Sequence, residues 1–310
     1  MCWPVWPLFR CWRWQAGLIM LDYDFPLWRP PSEGDNLIIQ ATLGCRFNQC
    51  SFCSMYKDKV YQARPLAEVT ADIERAAVAW PEARRVFLAD GDAYGLPTET
   101  LLELCHRLRA CFPDLQRVTA YATPFNILAK SAEEIAALRQ ARLTLVYLGI
   151  ETGSDRLLKI IAKGAASRMA AALVRAADSG LKVSATVILG LGGRRLWREH
   201  IEATAALING RAPTFLSTLN LMLDPAVAGG FFARFDEPFE PQDDHGILAE
   251  LRLLIERLEP LTPIIFRSNH ASNALPLAGT LPKDRDRLLA EIDSTLNGRH
   301  GLRPGWMRGL

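Results

Sequence analysis

The chain has 310 residues, 49% of them hydrophobic and 23% charged, with a formal net charge of +2. That length and apolar share allow one large packed core. The near-neutral balance implies no strong electrostatic pull on nucleic acid, although composition does not exclude a local basic patch. Seven cysteines, an odd number, argue against a disulfide framework and for a reducing, cytoplasmic setting.

Residues 1–19 carry four of the eight tryptophans, and Arg10 and Arg13 interrupt any apolar stretch. Neither a signal peptide nor a bilayer span fits such a segment. It reads as an extension ahead of a true start at Met20, in which Cys2 and Cys11 have no role. Residues 20–35 form a Pro-rich extended lead-in. Strands and helices then alternate. Strands are predicted over 37–42 (LIIQAT), 85–89, 117–122, 143–150, 182–189 and 215–223. Helices are predicted over 66–79, 98–112, 131–140, 154–162, 167–179 and 198–209. The third opens on the capping-box pattern Ser-Ala-Glu-Glu, and Gly180 stops the fifth. Six largely apolar strands between helices predict a parallel sheet covered on both faces. Right-handed crossovers would curl it into an α/β fold, an open, partial TIM-type (β/α)6 barrel over 36–224. Residues 225–298 read as a C-terminal helical extension capping the barrel. It holds a Gly-, Phe- and Pro-rich loop (225–242), a helix (243–258), a short strand-like run (264–266), a polar loop (268–280) and a charged helix (282–296). Residues 299–310 read as a frayed tail. His106 and His200, both on helices, are expected to face solvent.

Three thiols, Cys45, Cys50 and Cys53, lie within nine residues just after the first strand. Soft thiolates at such spacing bind zinc or an iron–sulfur cluster. A structural zinc site takes four protein ligands, and no second Cys or His pair is present. Cys105 falls in the apolar stripe Leu101, Leu104, Leu108 and reads as a buried free thiol. Three ligands and one open position suit a reactive [4Fe–4S] cluster at the C-terminal mouth of a barrel, where active sites of this fold lie.

With an aromatic residue before its last cysteine, GCRFNQCSFCSMYKDK resembles the radical S-adenosylmethionine (SAM) superfamily, near its coproporphyrinogen-oxidase-like and methylthiotransferase-like branch. The usual spacing there is C-x3-C-x2-C, and this chain has C-x4-C-x2-C. The resemblance implies an enzyme in which Cys45, Cys50 and Cys53 hold the cluster and its open iron binds SAM. Reductive cleavage would then give a 5′-deoxyadenosyl radical that takes hydrogen from a substrate.

Further residues match family elements. Asp90-Gly91-Asp92 stands where the family receives the SAM ammonium, with Asp92 at the acidic position and Asp90 in place of a glycine. Gly149-Ile-Glu151-Thr-Gly-Ser154 resembles an element in which Glu151 hydrogen-bonds SAM, and Ser154 also suits a helix N-cap. Lys163 matches a basic position that pairs with the SAM carboxylate. Ile188 and Gly190 lie on the strand end that cradles adenine. Phe52 is expected beside cluster and adenine, and Tyr121 near the ribose. A polar loop carrying Arg267, Asn269, His270 and Asn273 could close over the mouth and hold a polar or anionic substrate; alternatively it only satisfies its own backbone.

The implied partners are a small-molecule substrate and an electron donor such as flavodoxin or ferredoxin, without membrane or nucleic acid. Two other readings stay open at this point: an RNA- or protein-modifying radical SAM enzyme, and a non-enzymatic metal-binding protein.

Overall fold

A computed structural model describes residues 21–299 and 301–309; the expectations for residues 1–19, Met20 and His300 lie outside them. Strand β1 (Leu37–Gln40) leads into a two-stranded antiparallel ribbon, β2 (Thr42–Leu43) with β3 (Gln62–Ala63). Then follow α1 (Leu66–Ala79), β4 (Arg85–Ala89), α2 (Thr98–Cys111), β5 (Arg117–Ala122), α3 (Pro124–Ala129), α4 (Ala132–Gln140) and β6 (Leu143–Glu151). The second half runs α5 (Asp155–Ile160), α6 (Ala166–Asp178), β7 (Lys182–Leu189), α7 (Gly193–Gly210) and β8 (Phe215–Asn220). It ends with α8 (Pro225–Phe232), α9 (Asp244–Arg257), β9 (Ile264–Ser268), β10 (Leu277–Leu281) and α10 (Arg285–Leu296).

The main sheet has the order β1-β4-β5-β6-β7-β8-β9-β10. All six expected strands are in it, mutually parallel. The sheet then runs on. β9 adds a seventh parallel strand and β10 turns back antiparallel at the edge. The C-terminal extension therefore continues the wall as well as covering it. β1 and β10 are the two edges, so the barrel stays open.

Alternation along each strand separates two faces. Ile39, Leu88, Val118, Val146, Ala185, Leu216 and Phe266 point outward into the main core, against the helices. Each of these except the small Ala185 contributes about 2 kcal/mol of apolar burial. Ile38, Phe87, Leu145 and Tyr147 point inward and make a second, luminal cluster with Tyr121 and Phe215.

The lead-in is more than coil. Tyr23 and Leu27 pack on the luminal cluster, and the Tyr23 hydroxyl donates to Ile38 O at 2.6 Å. Glu33, fully buried, accepts from the Tyr147 hydroxyl and from Thr119 Oγ1 (3.1 Å), and faces Arg117 at 3.5 Å. The segment thus floors the lumen with a satisfied carboxylate.

Other differences are local. Asp224 caps α8 within the expected loop 225–242, its carboxylate accepting from Ala226 N. α7 begins at Gly193, earlier than predicted. The tail is docked: the Arg308 guanidinium reaches both oxygens of Asp244 at 2.6 and 2.8 Å. Among the described residues no helix is long and apolar enough to cross a membrane.

Candidate functional site

The cysteine loop, residues 44–61, leaves the sheet at the tip of β1 and is pinched at its base by the β2–β3 ribbon. Gly44 begins it at φ +67°, and a Cβ there would press on Lys59 Cβ at 3.2 Å. Asn48 takes a positive φ and its side-chain amide donates to Tyr56 O at 2.7 Å, folding the loop back on itself. Trp28 of the lead-in donates to Met55 O at 2.8 Å from below. Ser51 N donates to Ile161 O at 3.0 Å and so ties the loop to the end of α5. Cys45, Cys50 and Cys53 are all free thiols, with Cys50 buried. Burial pushes the Cys50 and Cys53 thiols up, and Lys163 opposes this at both. Among the described residues no three His, Cys, Asp or Glu side chains converge as a single metal ion requires. A cubane asks no such convergence, because its thiolates bind different irons.

Beside the loop, Asp90 is fully buried. Its Oδ2 accepts from Gln40 Nε2 (3.0 Å) and Gly44 N (3.2 Å), and lies 3.3 Å from Lys59 Nζ. Its Oδ1 has no partner. Burial raises the pKa of this carboxyl, against Lys59 and Gln40. Gly91 has room only for hydrogen, since a Cβ would sit 2.5 Å from the Tyr56 ring. Tyr56 is itself buried with an unpartnered hydroxyl, in surroundings shared with Tyr121, Asp90, Cys45 and Cys53. Asp92 lies 3.5 Å from Arg46 of the cysteine loop and near Asn126 and Lys130; burial lifts its pKa to about 6. Both carboxylates border the cysteine loop and each keeps a buried, unpartnered Oδ1, but only Asp90 shares the surroundings of Tyr56 and Tyr121.

At the end of β6 the ladder shifts register between Gly149 and Glu151, and Glu151 takes φ +63°. Such a bulge re-aims a side chain. The Glu151 carboxylate folds back over Gly149, where a Cβ would meet Oε1 at 1.9 Å. Ser154 caps α5 as expected, accepting from Leu157 N. α5 ends in a left-handed turn at Ala162 (φ +54°), and Lys163 N closes it on Leu158 O at 2.8 Å. That reversal delivers Lys163 Nζ to 3.1 Å from Glu151 Oε1. Burial works against the lysine charge, but Cys50 and Glu151 outweigh it and its pKa is raised.

Phe52 and Ile188 fall in one apolar cluster with Leu158, Ile161, Leu191 and the buried Phe231 of α8. Gly190 turns the chain at φ +80°, and its N–H donates to Glu250 Oε2 on α9 at 2.7 Å. His200 overturns its expectation. It is fully buried, 2.7 Å from Thr152 Oγ1 and 3.0 Å from Ile188 O, because α7 packs that face on the strand tips. Burial lowers its pKa to about 4.

The C-terminal polar loop divides. Asn273 is buried and spends its amide on Thr218 O (2.9 Å) and Ser268 Oγ (2.6 Å), so it serves the loop's own structure. His270 is bound to Ser272 Oγ at 2.8 Å, and its carbonyl accepts from Arg303. Asn269 and Arg267 are exposed, and Arg267 lies on β9 rather than in the loop. Tyr121 sits on the luminal wall, edge-on to Phe87 at 5.2 Å and to Tyr147 at 6.0 Å. Sequence reading missed Gln40, Tyr56, Lys59, His200 and Glu250. A glutamine ending an otherwise apolar strand was the one visible signal.

The family model described as the radical SAM superfamily matches residues 39–208. No curated protein matches the chain. Among solved structures, methylornithine synthase is similar with a TM-score of 0.52 and 14% identity, over 83% of this chain and 68% of that one. Coproporphyrinogen III oxidase from Escherichia coli, described as a radical SAM enzyme, gives 0.52 and 16%, over 71% and 51%. The radical SAM methyltransferase TsrM from Kitasatospora setae gives 0.48 and 19% over 60% of this chain, which spans 34% of that protein. At these identities the two likenesses with a TM-score of 0.52 speak for the fold.

Proposed function

The chain belongs to the radical SAM superfamily and is an enzyme working with a [4Fe–4S] cluster and SAM; from that premise we propose which residues hold each and what the barrel does with them. Cys45, Cys50 and Cys53 supply the cluster's three thiolates at the strand tips. Asp90 Oδ1, buried and without a partner, is an acceptor in want of a donor, and the SAM ammonium fits that want. Lys163 faces the SAM carboxylate, and Glu151 fixes the lysine and receives the remaining donors of SAM. Phe52 and Ile188 flank the adenine, and Tyr121 closes the ribose end.

Held by Cys45, Cys50 and Cys53, a bound cluster would supply the one-electron reduction that splits the SAM sulfonium into methionine and a 5′-deoxyadenosyl radical able to take hydrogen from substrate. The chain's own part is to aim and to exclude water. Tyr56, Trp28 and the aromatic cluster around Phe231 shield the loop from solvent on separate sides. The electron comes from a low-potential donor of flavodoxin or ferredoxin type. Arg46, Phe47 and Lys57, exposed on the loop's outer face, suit an acidic donor surface. The substrate is a small molecule reaching the lumen through the open side of the barrel.

The Lys163–Glu151–Cys50 grouping carries this reading, because it joins three separate sequence elements in one buried charge cluster. Anaerobically reconstituted protein is expected to hold about four irons per chain and to release 5′-deoxyadenosine on reduction with SAM. Cys50→Ala is expected to lose both. Protein that holds the iron yet never cleaves SAM would refute the assignment.

A further inference from the structure

One row of the sheet, just below the proposed SAM site, differs from the rest of the luminal wall. Register carries Gly149 to Thr186, Thr186 to Ser217 and Ser217 to Arg267 across β6, β7, β8 and β9. Phe215, two residues before Ser217, belongs to the luminal cluster, whereas Leu216 and Phe266 belong to the outer core. Thr186, Ser217 and Arg267 therefore all face the lumen. Among the described residues neither hydroxyl has a hydrogen-bond partner, and Arg267 makes no ion pair; its guanidinium donates only to Phe266 O at 2.9 Å. Three side chains with unspent donors thus lie side by side on one level of the wall, whereas the luminal donors of Gln40 and Thr119 are spent on Asp24, Asp90 and Glu33. Facing them, Tyr121 and Tyr147 stand edge to edge, with Glu33 closing the floor beneath Tyr147.

We propose that Arg267, Ser217 and Thr186 anchor the acidic group of a small organic acid, a carboxylate or a phosphate, whose carbon skeleton lies along Tyr121 and Tyr147. A planar guanidinium beside two hydroxyls recognises such oxyanions in a bidentate way. Ile188 stands two residues above Thr186 on the same strand face, a rise of about 7 Å. A bond to hydrogen presented to the SAM site therefore lies only a few carbon atoms from the acidic group. The lead-in, through Glu33 beneath Tyr147 and Thr119, closes the lumen from below. The inference rests on the radical SAM reading for its reaction, but its binding claim is separate.

Calorimetry on the anaerobic, reconstituted protein with SAM and without reductant tests it, so that nothing turns over. The probes are 3-phenylpropionate, phenyl phosphate and inorganic phosphate, with 3-phenylpropionamide as the neutral counterpart. One or more of the acids should bind, and the amide at least about tenfold more weakly. Binding of the carboxylate alone or of a phosphate alone identifies which acid the anchor prefers. Arg267→Gln should weaken binding about tenfold, and Arg267→Lys should recover part of it. Melting curves check that both variants fold, and Ser217→Ala gives a gentler second perturbation that should weaken binding severalfold. Equal binding of amide and acid, unchanged affinity in Arg267→Gln, or no uptake of any acid by the unsubstituted protein would overturn the anchor. Failure of the unsubstituted protein to release 5′-deoxyadenosine strikes the functional reading instead, while the calorimetry still decides the anchor.

Discussion

Lys163 Nζ stands 3.1 Å from Glu151 Oε1, so the turn after α5 is fastened to the bulged end of β6. Both side chains are largely buried and form an ion pair. Removing the lysine leaves a buried carboxylate unpaired, which costs about 2 kcal/mol or more. Lys163→Met is therefore expected to melt earlier and to bind SAM at least about tenfold more weakly, read by thermal melting and by equilibrium dialysis of reconstituted protein. Full SAM affinity in this variant would remove Lys163 from the site.

Glu250 lies under Gly190, accepting its N–H, and burial lifts its pKa from 4.5 to about 7. A carboxyl whose pKa rises on folding adds stability that is complete below the unfolded value and is lost as pH climbs through the folded one. The window is thus about pH 4.5 to 7. Glu250→Gln keeps the acceptor for Gly190 and removes the titration. Relative to that variant, the native protein should lose up to about 3 kcal/mol across this window and change little above it. Parallel denaturation curves of the two proteins at several pH values check this, and parallel pH profiles would disprove it.

Much of the frame was legible because it rests on local signals. Apolar strand runs, the Ser131 capping box and the Ser154 cap all recur in the structure where periodicity and capping chemistry put them. What the sequence hid depends on contacts between distant segments. His200 occupies a helix whose pattern reads as amphipathic, and only the packing of α7 on the tips of β6 and β7 buries it. Glu250 looks like one more charged residue of a surface helix until α9 docks on Gly190. The lead-in has no periodicity at all, so its place in the lumen follows from tertiary partners alone. At the site, motif spacing singled out Glu151, Lys163 and Cys50, which the fold brings together. It also paired Asp92 with Asp90; both are buried with an unpartnered oxygen, and only their neighbours differ, Arg46 beside Asp92 and Lys59 and Gln40 beside Asp90.

The thiols should divide by place. Cys105 is fully buried in α2, its pKa pushed up to about 12 by burial, far from the loop that carries the other three. Cys105→Ala should keep the iron content of reconstituted protein and cost about 1 kcal/mol of stability as a small cavity. Iron analysis beside Cys45→Ala, Cys50→Ala and Cys53→Ala checks the contrast. Loss of iron in Cys105→Ala alone would move the cluster elsewhere.

His200 joins two strands at the proposed SAM site and is expected to affect SAM binding through them. One ring nitrogen meets Thr152, next to Glu151, and the other meets the carbonyl of Ile188, so a single imidazole spaces the carboxylate end and the adenine end of the proposed site. Its pKa falls to about 4, hence it is neutral in the fold, and its contribution is present above about pH 6.5 and lost as pH drops through 4. His200→Leu removes both hydrogen bonds and leaves the Thr152 hydroxyl only its bond from Ser154 N, at a cost of about 2 kcal/mol. His200→Gln can restore at most part of the bridge. Leu is expected to weaken SAM binding severalfold more than Gln, with acid unfolding shifted to lower pH in both. A purely structural histidine would lower the melting temperature of both variants and leave their SAM affinities equal to that of the native protein.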